Sequence, residues 1–172
     1  MNTMNAAELK TLQEPLKTKY KTQPEAALIT LKAKSRVGEG VTCKVETGKM
    51  MAEAGLHPAT GGDGLSVCSG DMLLEALAAC AGVTLSAVAT ATGFDLQDAH
   101  VLTEGDLDFR GTLSVDKTAP VGFKEIRMRF EIKTSEPEEK TSKLIQLTER
   151  FCVVYQTLVK ANPIPVSFGL SK

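Results

Sequence analysis

Apolar and polar positions alternate with period two in two clear stretches of the chain. Val41, Cys43 and Val45 interleave with Thr42, Lys44 and Glu46, and Ile126, Met128, Phe130 and Ile132 interleave with Glu125, Arg127, Arg129, Glu131 and Lys133. This is the signature of strands buried on one face. Val101, Thr103, Leu107 and Phe109 around Gly105 continue it, and the apolar run Ala26 to Lys34 reads as a further strand, joined to the first by a hairpin turn at Gly38-Glu39-Gly40. Cys43 then points with the valines toward a core. Ala6 to Lys19 carries Leu9, Leu12 and Leu16 at helical spacing with Pro15 interrupting, which predicts a short surface helix or arm.

Between the strands the period changes. Asp71 to Thr92 is rich in Ala and Leu, opens at Ser69 and Asp71 and closes at Gly93, which predicts a helix. Small or apolar residues surround it on almost every side beyond Glu75. A membrane span wants about 20 strongly apolar residues, and the Ala, Thr, Ser and Gly here fit a core helix packed closely by sheets or by another helix. A second helix is announced by Ser135 with Glu138 as a capping box and Pro137 in its first turn. Leu144, Leu147, Phe151, Val154 and Leu158 give it an apolar stripe unless it breaks near Cys152. Pro163, Pro165 and Val166-Ser167-Phe168 predict a short last strand at an edge. Gly48 to Gly70, punctuated by His57-Pro58, Gly61-Gly62 and Asp63-Gly64, reads as a long loop. Strands and helices segregate instead of alternating, so the fold class is α+β: one domain over residues 1–172, with 1–24 as an N-terminal helical arm.

Composition narrows the function. The 172 residues are 42% hydrophobic and 24% charged, as in ordinary globular proteins, and 20 Lys+Arg against 21 Asp+Glu leave no basic footprint for nucleic acid. The N-terminus lacks the cationic flank and apolar core of a secretory signal, so a cytoplasmic protein with no membrane partner is expected. Cys43, Cys68, Cys80 and Cys152 are then expected as reduced thiols. No C-x-x-C pair occurs, and His57 and His100 do not stand at zinc-ligand spacing; neither a metal nor an organic cofactor is expected, and both histidines read as surface residues.

Cys80 falls in mid-helix with Leu73, Ala76, Leu77, Thr84 and Ala87 on its face, where nothing local activates it. Function there requires a cation from elsewhere. Gly61-Gly62-Asp63-Gly64, Leu73-Leu74-Glu75-Ala76-Leu77-Ala78-Ala79-Cys80 and the distant Glu149-Arg150-Phe151-Cys152-Val153-Val154 together resemble the OsmC/Ohr superfamily, the osmotically inducible and organic hydroperoxide resistance proteins. The resemblance runs from about Ala26 to the end. It implies an OsmC-like fold, an intertwined homodimer with long central helices enclosed by antiparallel sheets. It also implies an oxidoreductase of the oxidative stress response, a peroxidase acting on organic hydroperoxides. Cys80 would be the peroxidatic nucleophile and Cys152 the thiol that resolves its sulfenic acid as a disulfide, reduced in turn by a dithiol. The family's arginine maps to Arg36 and its carboxylate to Asp71, with Glu75 as the alternative, although the Pro and Glu usual in the family before the helix are missing. Arg150 is a second candidate cation and Cys68 a competing resolver. Two other functions stay open: a non-enzymatic OsmC-like dimer that binds an apolar small molecule near Cys80, and a thiol redox sensor.

Overall fold

The structure is a computed structural model, and it describes residues 6–37, 43–45, 54–62, 64 and 67–170. Helix α1 (Ala6–Thr22) continues through Pro15 and hands over, by a short 3-10 turn at Pro24–Ala27, to strand β1 (Leu28–Val37). Strand β2 (Cys43–Val45) pairs antiparallel with β1, Val37 opposite Cys43. The expected turn at Gly38-Glu39-Gly40 lies outside the described residues, as does the side chain of Cys43. Of the stretch Gly48 to Gly70, the described part holds β3 (Ala54–Gly55), a 3-10 turn (Pro58–Thr60) and β4 (Val67–Cys68), with β3 and β4 parallel. Its last two residues already belong to helix α2 (Ser69–Thr92).

Strand β5 (Asp98–Asp108) follows α2, then the short α3 (Phe109–Thr112) and strand β6 (Phe123–Lys133). The main sheet has the order β2-β1-β5-β6 and is antiparallel throughout. Along β5 the period-two pattern emerges as alternating burial of Ala99, Val101, Thr103, Gly105 and Leu107. Phe109, expected at the end of this strand, instead begins α3, where the Asp108 carboxylate accepts from the Arg110 N–H and closes a cap. Helix α2 packs across the buried face of the sheet, against β1 and β5, and against the later helices α4 (Glu138–Phe151) and α5 (Val153–Val159). It is long and apolar enough to cross a membrane by length and composition alone, but these contacts make it the core helix of the domain.

Two close approaches set α2 on the sheet. The Thr103 hydroxyl donates to the Leu74 carbonyl at 3.0 Å, with both residues fully buried. Gly105 leaves room for the Phe123 ring, since a Cβ there would lie 2.5 Å from a ring carbon. The helix ends at Gly93, whose φ of 66° supplies the left-handed turn of a C-cap.

Two expectations fail. The Ser135 hydroxyl bonds the Asp95 carboxylate at 2.7 Å instead of capping α4, which starts after Pro137 with no side-chain cap. The helix begins at Glu138 with Pro137 as its N-cap, so Ser135 stands two residues too early for its oxygen to accept from the first turn. The last strand also does not form within the single chain: residues 161–170 are exposed and lie outside any regular element.

Candidate functional site

Helix α2 carries Cys80 to the middle of the core, where Leu77, Ala81, Val101 and Cys152 form one buried cluster. Cys80, Met128, Phe130, Tyr155 and Leu158 pack around it. Cys152 arrives from the opposite side, at a break between two helices. Its φ of −71° and ψ of 108° are extended, so α4 stops at Phe151 and α5 starts at Val153. The break turns the Cys152 side chain inward, with no exposed surface, and leaves Phe151 and Val153 outside. Thiols remote in sequence therefore pack in one cluster, near enough for Cys80 to raise the Cys152 thiol. Cys68, the competing resolver, sits at the start of α2 and packs with a different cluster, around Tyr20, Leu74 and Phe109.

Cys152 caps α5 with its sulfur, which accepts the Tyr155 N–H at 3.5 Å. Burial pushes its thiol well above the usual range, because the thiolate would lose water; the neighbouring Cys80 adds to the rise, and the Tyr155 and Val154 N–H groups oppose it. Sequence reasoning did not find Tyr155. The signal was faint, since Cys is not among the residues that usually mark a helix start.

The supporting charges lie elsewhere. Asp71 is in the first turn of α2, nine residues ahead of Cys80 and so about 14 Å away along the helix axis. Its electrostatic partner is His57. His57 is half-buried, stacked on Phe109 with ring centroids 4.9 Å apart, and its Nδ1 accepts the Ala59 N–H at 3.0 Å. The expectation of a surface His57 without partners is thus corrected: a Pro58 turn folds its ring onto α3, and only tertiary structure brings these together. Burial lowers the His57 value and raises those of Asp71 and Glu75, while the His57–Asp71 attraction partly offsets the first two shifts. His100 is half-buried on β5, opposite Glu131.

Arg36 lies on β1, its backbone opposite Lys44 of β2 and His100 of β5; its side chain lies outside the described residues. Arg150 is at the end of α4 with its guanidinium 5.3 Å from the Phe151 ring centre, a cation–π contact. Among the described residues, no group of His, Cys, Asp and Glu is arranged to hold a metal ion. Beside the thiols, a groove of about 480 Å³ opens between α5 and β6, lined by Leu77, Ile126, Met128, Tyr155 and Leu158 with Lys124 and Glu149 among its polar members.

A search of curated proteins finds no match. Among solved structures, an OsmC-like hydroperoxide resistance protein from Jannaschia sp. CCS1 superposes with a TM-score of 0.58 at 19% identity, over 84% of this chain and 95% of that one. An OsmC-like protein from Mycoplasma pneumoniae gives a TM-score of 0.52 at 18% identity, over 77% and 85%. At these identities the likeness is one of fold. The sequence itself matches the profile of OsmC-like proteins over residues 61–168, a span that contains α2 with Cys80, the sheet strands β5 and β6, and the break at Cys152. On that match the chain belongs to the OsmC-like protein family.

Proposed function

We propose that the protein is a thiol peroxidase that reduces organic hydroperoxides through Cys80 and Cys152. The observation that carries the reading is the packing of Cys80 against the cluster that buries Cys152. The Cys80 thiolate attacks the distal oxygen of ROOH, the O–O bond breaks, and the departing alkoxide takes a proton to leave as ROH. Cys80 is then a sulfenic acid. Cys152 as thiolate attacks its sulfur, water leaves, and a Cys80–Cys152 disulfide results, which a dithiol returns to two thiols with its own oxidation. The organic group of the substrate lies in the groove between α5 and β6, against Leu77, Met128 and Leu158 in a lining of mixed polarity.

A buried thiol needs a cation to ionise at neutral pH. Arg36 takes that role in this reading, with Asp71 holding the arginine. Because Asp71 stands about two and a half turns from Cys80 on its own helix, the carboxylate acts across a homodimer, on an arginine of the other copy. The reduced pair fits a cytoplasmic setting.

The same groove would serve a protein that only binds an apolar molecule, so the deciding experiment counts thiols. After one equivalent of cumene hydroperoxide, mass spectrometry should find Cys80 and Cys152 in one disulfide, with Cys43 and Cys68 free. Four unmodified thiols would mean a binder. A disulfide that forms without turnover in excess dithiol would mean a sensor.

A further inference from the structure

A dithiol that reduces a Cys80–Cys152 bond has to reach one of the two sulfurs. Attack runs in line with the S–S bond, and the sulfur whose thiol has the lower pKa leaves faster. Burial holds the Cys152 thiol high, so Cys152 leaves poorly. The productive attack is therefore on the Cys152 sulfur, with Cys80, whose thiolate the proposed cation stabilises, as the leaving group. In-line approach comes from the side of Cys152 facing away from α2, and Cys152 has no exposed surface. Some element has to move.

The chain reaches solvent one residue to either side, because Phe151 and Val153 are both exposed. Toward the N-terminus, α4 has 14 residues and buries Leu144 and Thr148. Toward the C-terminus, α5 has 7 residues and buries none; Val154, Tyr155 and Leu158 are only partly covered against the cluster around Leu77 and Val101. Elements with few buried contacts open first. Helix α5 also forms one wall of the groove beside the thiols, through Tyr155, Leu158 and Val159, so its opening widens that groove.

Oxidation acts on what holds α5. Its first turn is anchored on Cys152, whose sulfur accepts the Tyr155 N–H at 3.5 Å and whose carbonyl accepts the Gln156 N–H at 2.9 Å. The Gln156 side chain adds a bond across the break, donating to the Glu149 carbonyl at 2.9 Å. A sulfur drawn into a bond with Cys80, which is fixed in mid-helix, gives up the first of these contacts and disturbs the second. We propose, on the basis of the peroxidase reading, that formation of the disulfide loosens α5 and that the loosened helix is the gate through which the dithiol reaches Cys152. One thiol of the dithiol, as thiolate, bonds to the Cys152 sulfur while the Cys80–Cys152 bond breaks, and Cys80 leaves as thiolate and is protonated. The second thiol, as thiolate, attacks the sulfur of the first and frees Cys152, which leaves the dithiol oxidised and both cysteines reduced.

Hydrogen exchange on the full chain in both oxidation states tests the loosening. Amides of Tyr155 to Val159 should exchange about tenfold faster in the oxidised protein, with those of Leu144 and Thr148 unchanged. Diamide makes the same bond without peroxide, so the gate can be read on protein oxidised either way. Reduction by dithiothreitol tests access. Gln156→Ala, which removes the bond across the break, should speed it about fivefold. Val153→Pro, which suits the first position of a helix after an extended residue, should slow it severalfold. A pulse of glutathione quenched in acid should leave the mixed disulfide on Cys152. Equal exchange of α5 in the two states, reduction rates that both variants leave unchanged, or a glutathione adduct on Cys80 would each overturn the gate. A bond that forms with diamide but not with cumene hydroperoxide would count against the peroxidase reading alone; a bond that neither forms would remove both.

Discussion

Cys152 is the residue whose environment constrains the chemistry most closely. Burial is the larger cause of its raised thiol value, and burial persists when Cys80 becomes a sulfenic acid. Because the resolving step needs the thiolate, and because a thiol well below its titration point gains about tenfold in thiolate per pH unit, disulfide closure should accelerate about tenfold per unit from pH 7 to 9 without a plateau. The measurement is the decay of dimedone-trappable sulfenic acid after one equivalent of hydroperoxide. A plateau below pH 8 would mean that the Cys152 thiolate is stabilised, against the burial seen here. Cys152→Ser should leave the sulfenic acid of Cys80 trapped. The proposed pairing of Cys80 with Cys152 came from the family resemblance, since nothing local to either cysteine marks it, and the structure packs the two together. The His57 contacts were not legible in the sequence, because His57 meets Phe109 and Asp71 only after α2 and α3 have packed.

At the scale of elements, two seams hold α2 where Cys80 needs to be. On the sheet side, Gly105 admits the Phe123 ring at a distance no Cβ could tolerate. Gly105→Ala should therefore destabilise by about 1–3 kcal/mol through overpacking, measured as a lower urea midpoint at constant slope. On the N-terminal side, the Tyr20 hydroxyl of α1 donates to the Ala59 carbonyl at 2.7 Å and its ring is 2% exposed against the cluster that includes Leu74 and Ala78. Tyr20→Ala should cost about 3 kcal/mol and Tyr20→Phe about 1 kcal/mol. An unchanged midpoint in Tyr20→Ala would reduce α1 to a surface arm, which is how its spacing of leucines reads. The period-two pattern located β5 and β6 well because each buries one face within the chain. Pro163, Pro165 and Val166-Ser167-Phe168 predict an edge strand that the chain leaves as exposed coil, since a strand requires a partner edge and local sequence says nothing of where that edge is. The capping box at Ser135 failed because α4 starts two residues later, after Pro137, while the Ser135 hydroxyl ties the loop to Asp95, forty residues away in sequence.

For the whole molecule, a Cys80–Cys152 bridge would join the core helix to the α4–α5 break and close a loop of most of the second half of the chain. The chain-entropy argument gives about 4 kcal/mol of stabilisation for a loop of roughly 70 residues, acting through the unfolded state. Native strain opposes it. Cys80 is fixed in mid-helix, so adjustment falls on Cys152, whose extended backbone still joins both helices: its N–H donates to the Thr148 carbonyl at 2.8 Å and its carbonyl accepts the Gln156 N–H at 2.9 Å. Disturbance of these bonds subtracts from the entropic gain, and the oxidised protein should be more stable than the reduced one by about 2–4 kcal/mol. Urea titrations of the peroxide-treated chain with and without dithiothreitol measure the difference, and Cys152→Ser should abolish it. An oxidised form less stable than the reduced one would mean that the sulfurs bridge only by distorting α2. The disulfide would then be a strained, strongly oxidising one, suited to passing oxidation on to a partner thiol instead of resting between turnovers.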